Sequence, residues 1–114
     1  MNDQEKLSQI AESLCARTQA GSVTWNETAD PDKFVTSLED YSIAIEAESE
    51  YKISLQLVNS KGRPIAAMEA FRAQTPPKST TWKTFSDLYE MARRQALKID
   101  QALDDVLNRV KITA

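Results

Sequence analysis

The chain has 114 residues and a formal net charge of −3, the length of one domain. It contains no histidine, one cysteine (Cys15) and two glycines, Gly21 and Gly62. Those counts exclude a histidine-based catalytic triad, a zinc site built from clustered cysteine and histidine, and a glycine-rich phosphate-binding loop.

With 41% hydrophobic and 27% charged residues, the composition is that of a folded globular domain rather than a disordered chain. No apolar run approaches the roughly 18 residues of a membrane span. Met1-Asn2-Asp3-Gln4-Glu5 is acidic and polar, unlike a signal region, and one cysteine cannot staple a fold. Together these point to the cytoplasm of a microbe. Cys15 reads as a small buried hydrophobe rather than a reactive thiol.

The first element expected is an amphipathic helix over 3–19. Asn2 and Glu5 have capping-box spacing, and Leu7, Ile10, Ala11, Leu14, Cys15 and Thr18 fall on one stripe. Gly21 is placed to end it. Residues 22–32 form a connector closed by Asp30-Pro31-Asp32, with Trp25 inside it. Four antiparallel strands in a meander follow, at about 33–38, 41–48, 51–59 and 64–72. In the first, Phe34, Thr36 and Leu38 share a face. In the next two, Tyr41, Ile43, Ile45 and Ala47 face inward, as do Tyr51, Ile53, Leu55 and Leu57. Both inward sets are odd-numbered, so the connecting loop holds an odd number of residues. A three-residue loop around Ser49-Glu50 satisfies this and brings Lys52 near Glu48 and Glu46.

Asn59-Ser60-Lys61-Gly62 has the form of a type I turn with a left-handed glycine bulge. Its register pairs Leu57 with Ile65 and Leu55 with Ala67, which turns Glu69 inward. A slip of one residue turns Met68 inward instead. Residues 73–81 read as a loop, with Pro76-Pro77 blocking regular structure. Thr80, Thr81 or Thr84 then caps a long helix over about 82–110, with a stripe through Phe85, Leu88, Ala92, Ala96, Ile99, Leu103, Val106 and Val110. Glu90 with Arg94 and Asp105 with Arg109 are supportive pairs on it. The fold class is α+β, ordered α-β-β-β-β-α, with both helices on one sheet face. Its order of elements is similar to that of small bacterial and phage α+β proteins, secretion-chaperone-like folds among them, a likeness of architecture alone.

The helix at 82–110 is on the order of 43 Å long at 1.5 Å per residue. Strands of this length span about 23 Å, so its C-terminal half overhangs the sheet while keeping its apolar stripe. Ile99, Leu103, Val106 and Val110 are therefore candidates for a dimer interface, covered by the first helix, a second copy of the chain, or both.

The net charge is the remainder of two opposed segments. Residues 27–50 hold eight acids and one lysine, and residues 51–98 hold nine bases and three acids. This layout reads as solubilising edge charge, or as a bipolar surface that orients a partner. The basic segment contains Trp82, Tyr51 and Phe71. A sequence pI near 5.0 and the inward parity of Tyr51 nevertheless argue against a nucleic-acid stacking platform.

Trp25 and Trp82 read as lids on the ends of the core, with their ring nitrogens hydrogen-bonded. Trp82, Tyr89, Arg93 and Arg94 are candidates for the rim of a small-ligand or anion pocket between helix and sheet. Pairs of acids such as Asp100 with Asp104, or Glu46 with Glu48, do not rise above a solvated surface. No catalytic residue, metal ligand or cofactor is expected. The sequence thus suggests a small cytoplasmic protein–protein interaction module, homodimeric and possessing no enzymatic activity, with another protein as a further partner. A small-molecule or anion sensor is the alternative.

Overall fold

The computed structural model describes residues 2–72 and 79–112. Helix α1 spans Asp3–Gln19, and the Asn2 side chain accepts the Glu5 N–H at 2.8 Å. At its other end Gly21 takes φ +79°, which lets the Ser22 and Gly21 N–H groups return to the Arg17 and Thr18 carbonyls. Leu7, Ala11, Leu14 and Thr18 are buried; Ile10 and Cys15 pack half-buried against the same core.

Five antiparallel strands follow in the order β1-β2-β3-β4-β5: Asn26–Glu27, Lys33–Leu38, Tyr41–Ser49, Lys52–Val58 and Pro64–Phe71. β1, one strand more than the sequence suggests, is a two-residue edge paired with β2, and Asn26 and Glu27 carry no strand preference to announce it. α1 and the second helix, α2 (Ser79–Ala96), cover one face of this sheet. The core lies between them, and Phe34, Ile43, Ile45, Ile53, Leu55 and Ala70 meet Phe85, Leu88 and Ala92 there. Of the loop expected over 73–81, residues 73–78, Lys78 among them, lie outside the described residues, while 79–81 already belong to α2, so Thr80, Thr81 and Thr84 stand within the helix rather than at its cap.

Tyr41 and Tyr51 depart from the expected inward sets. Both are exposed: Tyr41 is the first residue of β3, and Tyr51 lies in the turn before β4. The Arg72 guanidinium lies 5.9 Å from the Tyr51 ring centre. The β3–β4 pairing keeps Ile43 with Leu57, Ile45 with Leu55 and Ala47 with Ile53, but a bulge at Glu48 makes Ser49 the partner of Lys52. The three-residue loop therefore closes as a bulge and a tighter turn. Lys52 meets Glu48 at 3.2 Å and also pairs with Glu69, while Glu46 stands opposite Ser54.

The second hairpin turns as its residues dictate. Gly62 has φ +79°, and Asn59 accepts the Lys61 and Arg63 N–H groups through its side chain. The register then slips within β5. Val58 still pairs with Pro64, but Leu57 pairs with Ala66 and Leu55 with Met68, so Ala66, Met68 and Ala70 face the core and Glu69 faces out. Pro64 has no N–H for the ladder, and a bulge at Ile65 absorbs the extra residue and leaves that side chain exposed. At the free side of β5 the Gln4 side chain donates to the Ala67 carbonyl at 3.1 Å.

Trp25 is not a lid but a core residue, 2% exposed. Its ring N–H donates to Thr18 Oγ1 at 3.0 Å. Gln95 of α2 holds the same segment by accepting the Trp25 backbone N–H and donating to the Val23 carbonyl at 3.0 Å. In effect the Gln95 amide stands in for a neighbouring strand.

Candidate functional site

The helix expected over 82–110 is two helices. α2 ends at Ala96, and α3 runs Ile99–Ile112 after a turn in which Lys98 takes φ +53°. The Lys98 N–H reaches back to the Gln95 carbonyl, and its own carbonyl accepts the Ala102 N–H as α3 begins. An Arg94–Asp100 ion pair spans the turn.

The overhang follows from this geometry. The molecule measures 58 × 36 × 25 Å with a radius of gyration of 15.8 Å, against about 13 Å for a compact chain of this length. α3 packs on α2, and none of its residues is buried. Along its outer stripe Leu103, Val106, Leu107 and Val110 are 59%, 58%, 52% and 59% exposed. Ile99, at the junction, is half-buried. α1, one of the two expected covers for the stripe, does not bury it. Leu107 was not among the residues singled out from sequence; its four-residue step from Leu103 was the available signal.

Charge on α3 is segregated along its length. Asp100, Asp104 and Asp105 occupy its N-terminal half, and Arg109 and Lys111 its C-terminal half. The first lie near the positive end of the helix dipole and the second near its negative end, which stabilises the helix.

Trp82, Tyr89, Arg93 and Arg94 all lie on α2. Trp82 and Tyr89 pack half-buried against the core, and the Tyr89 ring sits 5.7 Å from that of Phe34. Burial, with Asp32 nearby, pushes the Tyr89 hydroxyl above its ordinary pKa. Arg93 meets Glu90 at 3.4 Å, and Arg94 meets Glu90 at 3.9 Å as well as Asp100. Arg94 lines a shallow groove of about 320 Å³ with Thr18, Gln19, Met91, Gln95 and Asp100, in which Trp82, Tyr89 and Arg93 take no part. Among the described residues no groove brings the four together.

A larger groove of about 480 Å³ runs between α1 and α2, lined by Glu12, Cys15, Gln19, Thr84, Asp87, Glu90 and Met91. The Cys15 thiol donates to the Thr84 carbonyl at 3.5 Å, and burial, then Asp87 and Glu12, raise its pKa. A protonated thiol on an acidic wall is a poor nucleophile.

Among the described residues no cluster of acids and cysteine is placed to hold a metal ion, and no helix is long and apolar enough to cross a membrane. No known protein family, curated protein or solved structure matches the chain. What the molecule presents is an α+β body bearing one amphipathic helix with its apolar side to solvent.

Proposed function

We propose that this chain is a small protein–protein interaction module without enzymatic activity, self-associating as a homodimer through the outer face of α3. One observation carries the reading: the apolar stripe of a 14-residue helix in which no residue is buried. An isolated helix of about this length is only marginally stable in water, and most helical stability in proteins comes from packing an apolar face. α3 has that face, and among the described residues none covers it enough to bury a side chain. A second copy is the simplest complement, since symmetric pairs are the commonest soluble assemblies.

The ligand-sensing alternative has less support, because both guanidiniums of Arg93 and Arg94 already face carboxylates. A cytoplasmic, microbial setting accompanies the proposal and is supported by the single cysteine.

Sedimentation equilibrium tests this reading. The wild-type chain is expected to be dimeric at micromolar concentration. Leu103→Glu/Val106→Glu is expected to be monomeric with unchanged near-ultraviolet dichroism, because both residues lie outside the core. A wild-type monomer throughout that range would refute self-association.

A further inference from the structure

We infer that a groove between α1 and the end of β2 receives an acidic amphipathic helix of a partner protein, with Lys6 and Arg17 gripping its two ends. This surface is separate from α3. The groove holds about 430 Å³, and Ile10, Leu14 and Leu38 supply its apolar lining. Ile10 and Leu38 are only half-buried, and Tyr41, the cross-strand partner of Leu38, is 49% exposed. An apolar strip with an exposed tyrosine at its border is the kind of surface on which protein contacts concentrate their affinity.

The charge around this strip has one sign. With about 100° between successive residues, Lys6, Ser13 and Arg17 fall in one exposed row along the groove, while Glu5 and Glu12 lie on the other flank of α1. Among the described residues Lys52, Lys83, Arg93 and Arg94 each meet a carboxylate, whereas Lys6 and Arg17 meet none. Neither Asp3, one turn before Lys6, nor the Glu39-Asp40 turn after Leu38 forms an ion pair with them. In a chain of net charge −3 these two cations are left for carboxylates from outside. The groove between α1 and α2 offers no such opening, because its Asp87 and Glu90 already face Lys83, Arg93 and Arg94.

Spacing selects the occupant. Lys6 and Arg17 stand three turns apart on one helix, about 16 Å at 1.5 Å per residue. A ligand with one anionic head satisfies one end of such a groove and leaves the other bare. A helix lying along α1 has the same repeat, so acids about eleven positions apart reach both cations. Apolar residues on the turns between them then meet Ile10, Leu38 and Tyr41, the usual mode of an amphipathic helix in a groove. Apolar contact supplies most of the affinity, and the two cations supply selectivity for an acidic partner.

A synthetic peptide tests this. A fluorescein-labelled helix, with glutamates at its second and thirteenth positions and leucines at its fifth, sixth and ninth, is titrated with the full chain at low salt and followed by anisotropy. Backbone amide shifts of the chain read where it binds. Binding is expected with Kd below about 1 mM, with shifts at Ser13 and Leu38. Lys6→Glu/Arg17→Glu is expected to bind about tenfold more weakly, and to recover with a peptide carrying lysines in place of the two glutamates. Both substituted side chains are exposed, so the variant keeps the fold. Absence of binding, equal binding of both peptides by the wild-type chain, or shifts confined to α3 would overturn the inference. Phosphatidylglycerol vesicles bound in preference to the peptide would assign the groove to a membrane surface and overturn it too. Self-association through α3 stands or falls separately, by sedimentation.

Discussion

Replacing Gln95 with methionine isolates the contribution of one side chain to the whole architecture. The substitution keeps the aliphatic length and removes both polar contacts to the connector: the acceptor for the Trp25 N–H and the donor to the Val23 carbonyl. Trp25 and Val23 are buried, so neither backbone group recovers a full water partner. A buried polar group left unpaired costs about 1–3 kcal/mol. Gln95 is itself half-buried, which moderates the sum for two groups to about 2–4 kcal/mol. For a domain of this size each kcal/mol lowers Tm by about 4 °C, so the expected loss is about 8–16 °C. Urea unfolding followed by tryptophan fluorescence measures it, with the buried Trp25 reporting directly. The reasoning fails if Gln95→Met loses less than about 0.5 kcal/mol at an unchanged m-value, the level of an ordinary surface substitution. Gln95→Glu is a second arm. It keeps an acceptor for Trp25 and sets a carboxylate against the Val23 carbonyl, so it is destabilised at neutral pH. It recovers on acidification, as the protonated carboxyl regains a donor.

Three further outcomes are expected. Ser54 is buried on the outer sheet face with a hydroxyl that finds no partner among the described residues. Ser54→Ala is therefore expected to stabilise the chain by about 1 kcal/mol in urea unfolding, and a measured loss would contradict the account. At Glu46, burial and then a hydrogen bond and charge from Asp30 raise the carboxyl above its ordinary pKa. The folded state thus holds this proton more tightly than the unfolded state, and stability falls as pH rises through that window. Glu46→Gln should raise Tm slightly at pH 7, with the gain shrinking on acidification below the carboxylate range; a pH-independent shift would show another cause. Cys15, its thiol held protonated by burial and neighbouring acids, should react with an aromatic disulfide at pH 8 far more slowly than in the urea-unfolded chain. Equal rates would show the groove to be open.

The parts of this fold that the sequence made legible are those where one residue's chemistry decides one local outcome. Asn2 caps α1 and Gly21 ends it. Asn59 and Gly62 make their turn, and the odd-numbered alternation around Ile43, Ile45, Ile53 and Leu55 marks the covered face. The less legible parts depend on partners distant in sequence or on a conformation that the residue does not favour. The register of β5 was open between two pairings, and the bulge beside Pro64 decides it. Lys98 in a left-handed conformation interrupts a stripe whose spacing runs on undisturbed, without the glycine or asparagine that usually marks such a turn. Gln95 looks like any polar helix residue until the fold brings Val23 and Trp25 beside it. On α3 the apolar positions were visible, because periodicity survives the break; that α1 would leave them bare depends on the direction α3 takes.

The borders of the sheet narrow the ways in which copies of this chain can meet. A free strand edge invites another backbone to add to it, and such growth has no natural stopping point. At one border β1 offers only two residues. At the other, Pro64 removes a donor, the bulge at Ile65 interrupts the ladder, and Gln4 occupies the Ala67 carbonyl. Templated β-polymerisation thus finds little purchase at either border. Contact through side chains, which saturates after one neighbour, is left as the easier route to assembly.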